Sequence, residues 1–463
     1  MSSPLCAGPG QLAAADINYR ICCTNHQENP ASPAIRRPPR GRWCRPDALY
    51  TGSFRDEQND GTIPMKDESK TSKESKMKRR EFLSSAAIPV AAALAPPALF
   101  AQGAQPVAPR PEGRIRVGVI GAGAIARETQ IPGFRRIPEC EVVAVANRSL
   151  QSSQRVADEF DIPRAYSNWQ ELLDDDGIDA VLIGTWPYMH HTITLAALER
   201  GKHVLCQARM SSTAAEAHEM LAASRQHPDL ICQLVPTSTS YVVDRALQRL
   251  LEEAYVGEVL SVEIQRVQRS FADFGGDLHW RHNREFSGYN VLNIGSTYES
   301  MMRWFGPGNR VMAMTKVHVP RRRDSDGELQ PVSIPDHVDV VYELDNGAQV
   351  HMKFSSTSGL SNGNQTWIFG SEGTIHVTGA PGRVDSGQII FVGRRGDTQL
   401  SELANPREQQ AFYRVEEEFI NAILGVEEVT MATFDTGVQY MEWTEAVHRS
   451  SESGAVVDLP LTI

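Results

Sequence analysis

From Arg114 onward the chain alternates short apolar runs with longer mixed stretches. The runs 115–120, 141–146, 179–184 and 203–206 are almost continuously apolar and of strand length, and each is followed by a stretch compatible with a helix. Runs of that kind read as strands buried on both faces, and their alternation with helices predicts a parallel, doubly wound α/β sheet. In such a sheet the ligand crevice lies at the carboxyl ends of the strands. After Val235 the texture changes to longer strand-like runs at 259–267, 338–344 and 349–354, the last two separated by Asp345-Asn346-Gly347, a strong hairpin signal. The pattern therefore predicts an N-terminal Rossmann domain over 114–236 and a C-terminal α+β domain over 237–463. The second domain should carry a large, mostly antiparallel open sheet with helices on one face.

Residues 1–76 show no sustained apolar period, and their proline clusters and the polar run 56–75 cannot bury enough surface to offset ordering entropy. They read as a disordered leader or an upstream over-extension, with Met77 as an alternative initiator. From Met77 the layout changes: Arg79-Arg80-Glu81-Phe82-Leu83, a mild alanine-rich apolar segment, then small residues around Ala101 to Ala104. That is the plan of a twin-arginine export signal over 77–104, and it predicts a periplasmic or secreted location. Pro89, Pro96 and Pro97 and the weak hydrophobicity of alanine speak against stable membrane insertion.

Composition narrows the partners. Asp plus Glu number 57 against 46 Lys plus Arg, a net charge of −11, so a general nucleic-acid binder is not expected and a small-molecule substrate is. Of seven cysteines, only Cys140, Cys206 and Cys232 lie in the folded part, none at metal-ligand spacing, and no metal is expected.

The first apolar run leads directly into Gly121-Ala122-Gly123-Ala124-Ile125-Ala126. A strand before and a helix after is the context that a dinucleotide-binding turn requires. Gly121 allows the tight turn, Gly123 lets backbone approach a pyrophosphate, and Ala126 keeps helix and strand close. The second run ends at Asn147-Arg148-Ser149, where an NAD-selective site would carry an acidic residue for the ribose 2′-hydroxyl. A guanidinium there suits a 2′-phosphate, so NADP is favoured over NAD. Thr185, Trp186, His190 and Gln207 fall on the same rim.

Taken together, VGVIGAGAIA at 117–126, GIDAVLIGTWPYMH at 177–190, ALERGKHVLC at 197–206, WR at 280–281, GYNVLNIGSTYESMMRWFG at 288–306 and IFGSEGTIHV at 368–377 resemble the Gfo/Idh/MocA oxidoreductase family. The resemblance runs from about Arg114 to the C-terminus. It implies hydride exchange between a nicotinamide and a sugar or cyclitol, and a homo-oligomer formed through the C-terminal sheet. It also places a histidine at the position of His190 near the nicotinamide.

The departures from the family pattern lie at the chemistry. Where the family commonly has Glu-Lys-Pro, with a lysine that assists proton transfer, this chain has Gln207-Ala208-Arg209. Where the family has aspartate and histidine, it has Asn293 and Thr297. A phenol or imidazole must then take the proton. Tyr289, Tyr298, His279 and Arg209 are the catalytic candidates, with Trp280, Arg281, His282, Asn290, Asn293 and Thr297 lining the substrate side and Glu299 on the same segment. Three functions remain open: a sugar or polyol oxidoreductase with tightly held cofactor, a hydrolase or lyase that oxidises its sugar transiently, and a non-catalytic binding protein.

Overall fold

The computed structural model describes residues 113–236, 241–289, 291–379 and 388–463. The stretch read as a leader and export signal, 1–104, and Asn290 lie outside the described residues.

The first domain is a six-stranded parallel sheet in the order β3-β2-β1-β4-β5-β6. Its strands are β1 (Ile115–Ile120), β2 (Cys140–Ala146), β3 (Arg164–Tyr166), β4 (Ala180–Ile183), β5 (His203–Cys206) and β6 (Cys232–Leu234). The linking helices are α1 (Ile131–Arg135), entered through a π-helical turn at Ala126–Gln130, α2 (Leu150–Phe160), α3 (Trp169–Leu173), α4 (His190–Glu199) and α5 (Ala214–Gln226). Every residue of β4 is fully buried, which is why its apolar run is unbroken. Ser149, Asn168 and Thr213 cap α2, α3 and α5 by accepting the backbone N–H three residues on.

The second domain opens with α6 (Tyr241–Glu252) and β7 (Val259–Val267), then the short α7 (Arg284–Ser287) and α8 (Ile294–Phe305). Strands β8 (Gly308–Lys316), β9 (Arg321–Arg323), β10 (Leu329–Pro331), β11 (His337–Leu344), β12 (Gln349–Ser355), β13 (Gln365–Gly370), β14 (Gly373–Gly379), β15 (Gln388–Arg394) and β16 (Ser401–Leu403) follow, with α9 (Val415–Ile423), α10 (Phe434–Ser453) and β17 (Val457–Asp458) at the end. Nine of these strands form one sheet in the order β16-β15-β14-β13-β7-β12-β11-β8-β17, antiparallel except for the β7–β12 pair. The hairpin at Asp345-Asn346-Gly347 joins β11 to β12, with Gly347 at φ +82° and the Asn346 side chain accepting from Ala348 N. Along β8 the burial alternates, with Val311 and Ala313 inside and Met312 and Met314 exposed at 49% and 76%. One face of the sheet is thus packed and the other open.

The expected fold class is what the structure shows, but the chain does not stay on its own side of position 236. Helix α9 packs Val415, Phe419, Ile420 and Ile423 into the core of the first domain, with Phe419 edge-on to Phe134. Helix α10 lies against α5, α8 and β8, so one element touches both domains.

Candidate active site

The glycine turn sits at the carboxyl end of β1. Gly121 has φ +85°, and a Cβ there would stand 2.7 Å from Thr185 N and 2.8 Å from Gly184 C, so only glycine allows the loops after β1 and β4 to approach so closely. A Cβ on Gly123 would meet nothing within 4 Å, and Gly123, Ala124 and Ile125 are exposed, whereas Ala126 is buried against the strand. The turn therefore leaves open space on its outer side and is tight on its inner side. Nearby, the Thr185 hydroxyl is buried without a hydrogen-bond partner. Open backbone on one side and an orphaned hydroxyl on the other fit a bound dinucleotide.

At the end of β2 the three candidates divide. The Asn147 side chain accepts from Ala122 N at 2.8 Å and donates to Ser152 O at 3.1 Å, so it fastens the glycine turn to the start of α2. Asn147, expected with Arg148 and Ser149 to accommodate a 2′-phosphate, instead has its amide committed to backbone. Ser149 is the cap of α2. Arg148 is exposed and, among the described residues, has no ion-pair partner.

Beyond β4 and β5 the loops are clasped by His190. Its Nδ1 lies 2.6 Å from the Arg209 carbonyl oxygen and its Nε2 2.9 Å from the Thr185 carbonyl oxygen, with the residue 1% exposed. Burial, only partly offset by the two carbonyls, lowers its pKa. His190 therefore positions the rim and does not open onto it. Gln207 donates to Gln130 Oε1 at 2.9 Å, and Gln130 continues through Tyr413 towards the buried Glu416.

The second domain brings a cluster to this rim. Trp280 stacks on Trp186 with ring centroids 5.2 Å apart, and Phe286 and Tyr188 pack around the same indole. The Arg281 guanidinium lies 4.2 Å over Trp280. His279 Nδ1 accepts from Arg281 N and His282 Nδ1 accepts from His279 N, so both rings are neutral in this arrangement. Burial, then Arg281, lowers the His279 pKa. Burial, then Arg322 and His279, lowers that of His282 to about 4. Gly288, at φ +63°, lies so close to Ser212 that a Cβ would meet its carbonyl oxygen at 2.5 Å. That contact seats Tyr289 beside the loop carrying Arg209. The Tyr289 ring packs against His448 at 5.0 Å and under Arg284 at 5.1 Å, and its carbonyl accepts from His448 Nε2 at 2.6 Å.

Other candidates fall elsewhere. Tyr298 is 1% exposed, stacked on Trp443 at 4.4 Å, and its hydroxyl oxygen accepts from Gly308 N at 2.8 Å. It is a core residue, and burial raises its pKa away from proton-transfer range. Glu299 is buried in an ion pair with Arg303 at 2.6 Å. Thr297 returns its hydroxyl to Asn293 O, and Asn293 is an exposed left-handed residue at the start of α8. The apolar stripe of α8 turned the predicted pocket residues into packing residues. What the pattern missed is α10: Tyr440 accepts from Met210 N at 2.6 Å, Glu445 from Ala214 N at 2.9 Å, and His448 holds Tyr289. Partners 159 to 231 residues apart leave no local motif.

Residues 115–234 match the family described as an oxidoreductase family with an NAD-binding Rossmann fold, and 245–376 match the GFO/IDH/MocA C-terminal domain. The chain belongs to the Gfo/Idh/MocA oxidoreductase family. Among curated relatives of this Gfo/Idh/MocA protein, the trans-1,2-dihydrobenzene-1,2-diol dehydrogenase of Mus musculus is 27% identical over 57% of this chain and 74% of its own. The levoglucosan dehydrogenase of Pseudarthrobacter phenanthrenivorans is 26% identical over 61% and 78%, and the D-xylose 1-dehydrogenase (NADP(+)) 2 of Haloferax volcanii is 25% identical over 74% and 99%. A solved levoglucosan dehydrogenase in complex with NADH and L-sorbose shares the fold at a TM-score of 0.64 and 22% identity, over 75% of this chain and 99% of that one. The Gfo/Idh/MocA relatives are dehydrogenases, and this chain is an oxidoreductase of the same family.

Proposed function

We propose that this oxidoreductase acts on a sugar or related polyol, is exported by its twin-arginine signal, and works with a tightly held NADP(H). The observation that carries the reading is the meeting of an open glycine turn with an aromatic and basic cluster from the second domain, joined by the Trp186–Trp280 stack. Dehydrogenases of sugars among the relatives support a carbohydrate substrate. When bound, the nicotinamide supplies or accepts the hydride. The chain's own residues do the rest. The Trp186–Trp280 stack, with Phe286 against it, offers an apolar edge to the sugar's C–H face and excludes water from it. The Tyr289 phenolate oxygen takes the proton from the reacting hydroxyl, because Ala208 can neither donate nor accept one and His279, whose Nδ1 accepts from Arg281 N, already holds its proton on Nε2. Arg148, exposed and without a carboxylate partner among the described residues, is the residue to hold a 2′-phosphate.

Twin-arginine export carries folded proteins, and free nucleotide is scarce outside the cytoplasm, so the cofactor must be loaded beforehand and regenerated in place. Native mass spectrometry of protein purified without added nucleotide should report one NADP(H) per subunit, and sugars should change the absorbance of that bound nicotinamide. Protein that carries no nucleotide, or a bound nicotinamide that no sugar alters, would refute the proposal. Ala208 also favours a second reading, a hydrolase or lyase in which the hydride returns to the same sugar. Release of an aglycone with no net nucleotide change would identify it.

A further inference from the structure

Arg209 is an anomaly among the arginines of the fold. The residue is 6% exposed, its Nε is buried with no acceptor, and among the described residues no carboxylate lies within ion-pair distance of it. Arg303, similarly withdrawn from solvent, is paired with Asp244 at 3.0 Å and Glu299 at 2.6 Å. Arg266 donates to the carbonyls of Gln265 and Gln365 and to the Thr366 hydroxyl. A guanidinium taken from water without a counter-charge is destabilising, so a fold keeps one only where something else supplies the anion.

The nearest charge makes the situation worse. Arg281, open to solvent and lying over Trp280, has no ion pair among the described residues and repels Arg209. Burial, then Arg281, presses the Arg209 pKa down to about 9, which still leaves it cationic at neutral pH. The phosphates of a dinucleotide do not fill this gap. Their cradle is the turn after β1 and the end of β2, whereas Arg209 follows β5, two strands away from β1 in the sheet order.

We infer that the substrate of this site carries an anionic group, the carboxylate of a sugar acid or the phosphate of a sugar phosphate, held between Arg209 and Arg281 while its ring lies against the edge of the Trp186–Trp280 stack. Two guanidinium forks offer paired N–H donors to such a group, a geometry suited to carboxylate and phosphate alike. The inference rests on the sugar-dehydrogenase reading only for the presence of the ring.

Calorimetric titration of the protein as purified with D-glucuronate, D-glucose 6-phosphate and D-glucose tests it and separates the two anions. At least one anionic sugar should bind tenfold or more tightly than glucose, with an advantage that shrinks as NaCl is raised. Arg281→Gln, a solvent-facing change that leaves the fold intact, should reduce that advantage at least tenfold. Arg209→Met should abolish it while raising the ligand-free melting temperature, because an unpaired buried charge is gone. NADP(H) content, read by native mass spectrometry, should stay unchanged in both variants. The inference is overturned if neither anion outbinds glucose, silence of all three sugars included, or if Arg281→Gln leaves the discrimination as it was. Retained nucleotide with no anion preference overturns this assignment alone, whereas protein that never carries nucleotide overturns the dehydrogenase reading.

Discussion

At the scale of single residues, side chains of the same type have opposite duties according to what surrounds them. Tyr289 and Tyr298 are nine positions apart, yet one packs at the rim beside His448 and the other is sealed between Trp443 and Tyr342. Tyr298→Phe should therefore lower stability by about 1–3 kcal/mol, because Gly308 N loses its buried acceptor, while turnover of the folded fraction stays as it is. Tyr289→Phe should do the reverse: turnover falls about 10²- to 10⁴-fold, with nucleotide content and melting temperature unaltered. Steady-state rates alongside thermal melts distinguish the two. Glu416 makes a second residue-level prediction. Burial raises its pKa from 4.5 to about 7 in the folded protein. Between those values the folded state keeps a proton that the unfolded chain releases, so stability contributed by the neutral carboxyl is full below pH 4.5 and lost as pH rises through 7. The loss amounts to about 3 kcal/mol. Glu416→Gln should flatten the fall in melting temperature between pH 5 and 8; a parallel pair of curves would show that another group is responsible.

At the scale of elements, the strands of the first domain and the hairpin of the second were legible because their signals are local. An apolar run of fixed length, a glycine forced to positive φ and an Asn-Gly turn each depend on neighbours in sequence. Helix α10 carries no local signal of its part in the site. Its inward residues Tyr440, Glu445 and His448 have hydrogen-bond partners in the loop after β5, the start of α5 and the segment after α7. Tyr440→Phe should leave Met210 N without an acceptor and let the loop carrying Arg209 shift. The expected result is a loss of about 1–3 kcal/mol in stability together with a raised KM for substrate. A loss of stability with KM unmoved would confine Tyr440 to packing. The same reasoning explains why Tyr298 and Glu299 of α8 were misread: both point into the core, and only packing against α10 and β8 decides that.

At the scale of the whole molecule, two proposals follow from surfaces and termini. The open face of the nine-stranded sheet exposes Met312, Met314 and Val341 beside a shallow depression lined by Glu263, His351 and Trp367. This depression holds no part of the Rossmann rim, and we assign it to contact between copies of the chain. Met314→Asp should convert an oligomer into monomers on sizing with light scattering, and an unchanged mass would rule this face out. Replacing Arg79 and Arg80 by lysine should hold the protein in the cytoplasm with residues 77–104 still attached, as N-terminal sequencing of the fractions would show. The amino-acid sequence by itself determined the two-domain α/β plan, the dinucleotide turn at Gly121 and Gly123 and the family, because strand burial and turn geometry are written in residues adjacent along the chain. Tertiary structure alone decided which polar residues reach the rim of the sheet. Whether Tyr298 or Tyr289 reaches the rim, why His190 is a clasp and why Arg209 has no counter-charge among the described residues all depend on residues far along the chain, brought together when α9 and α10 return across the domain boundary.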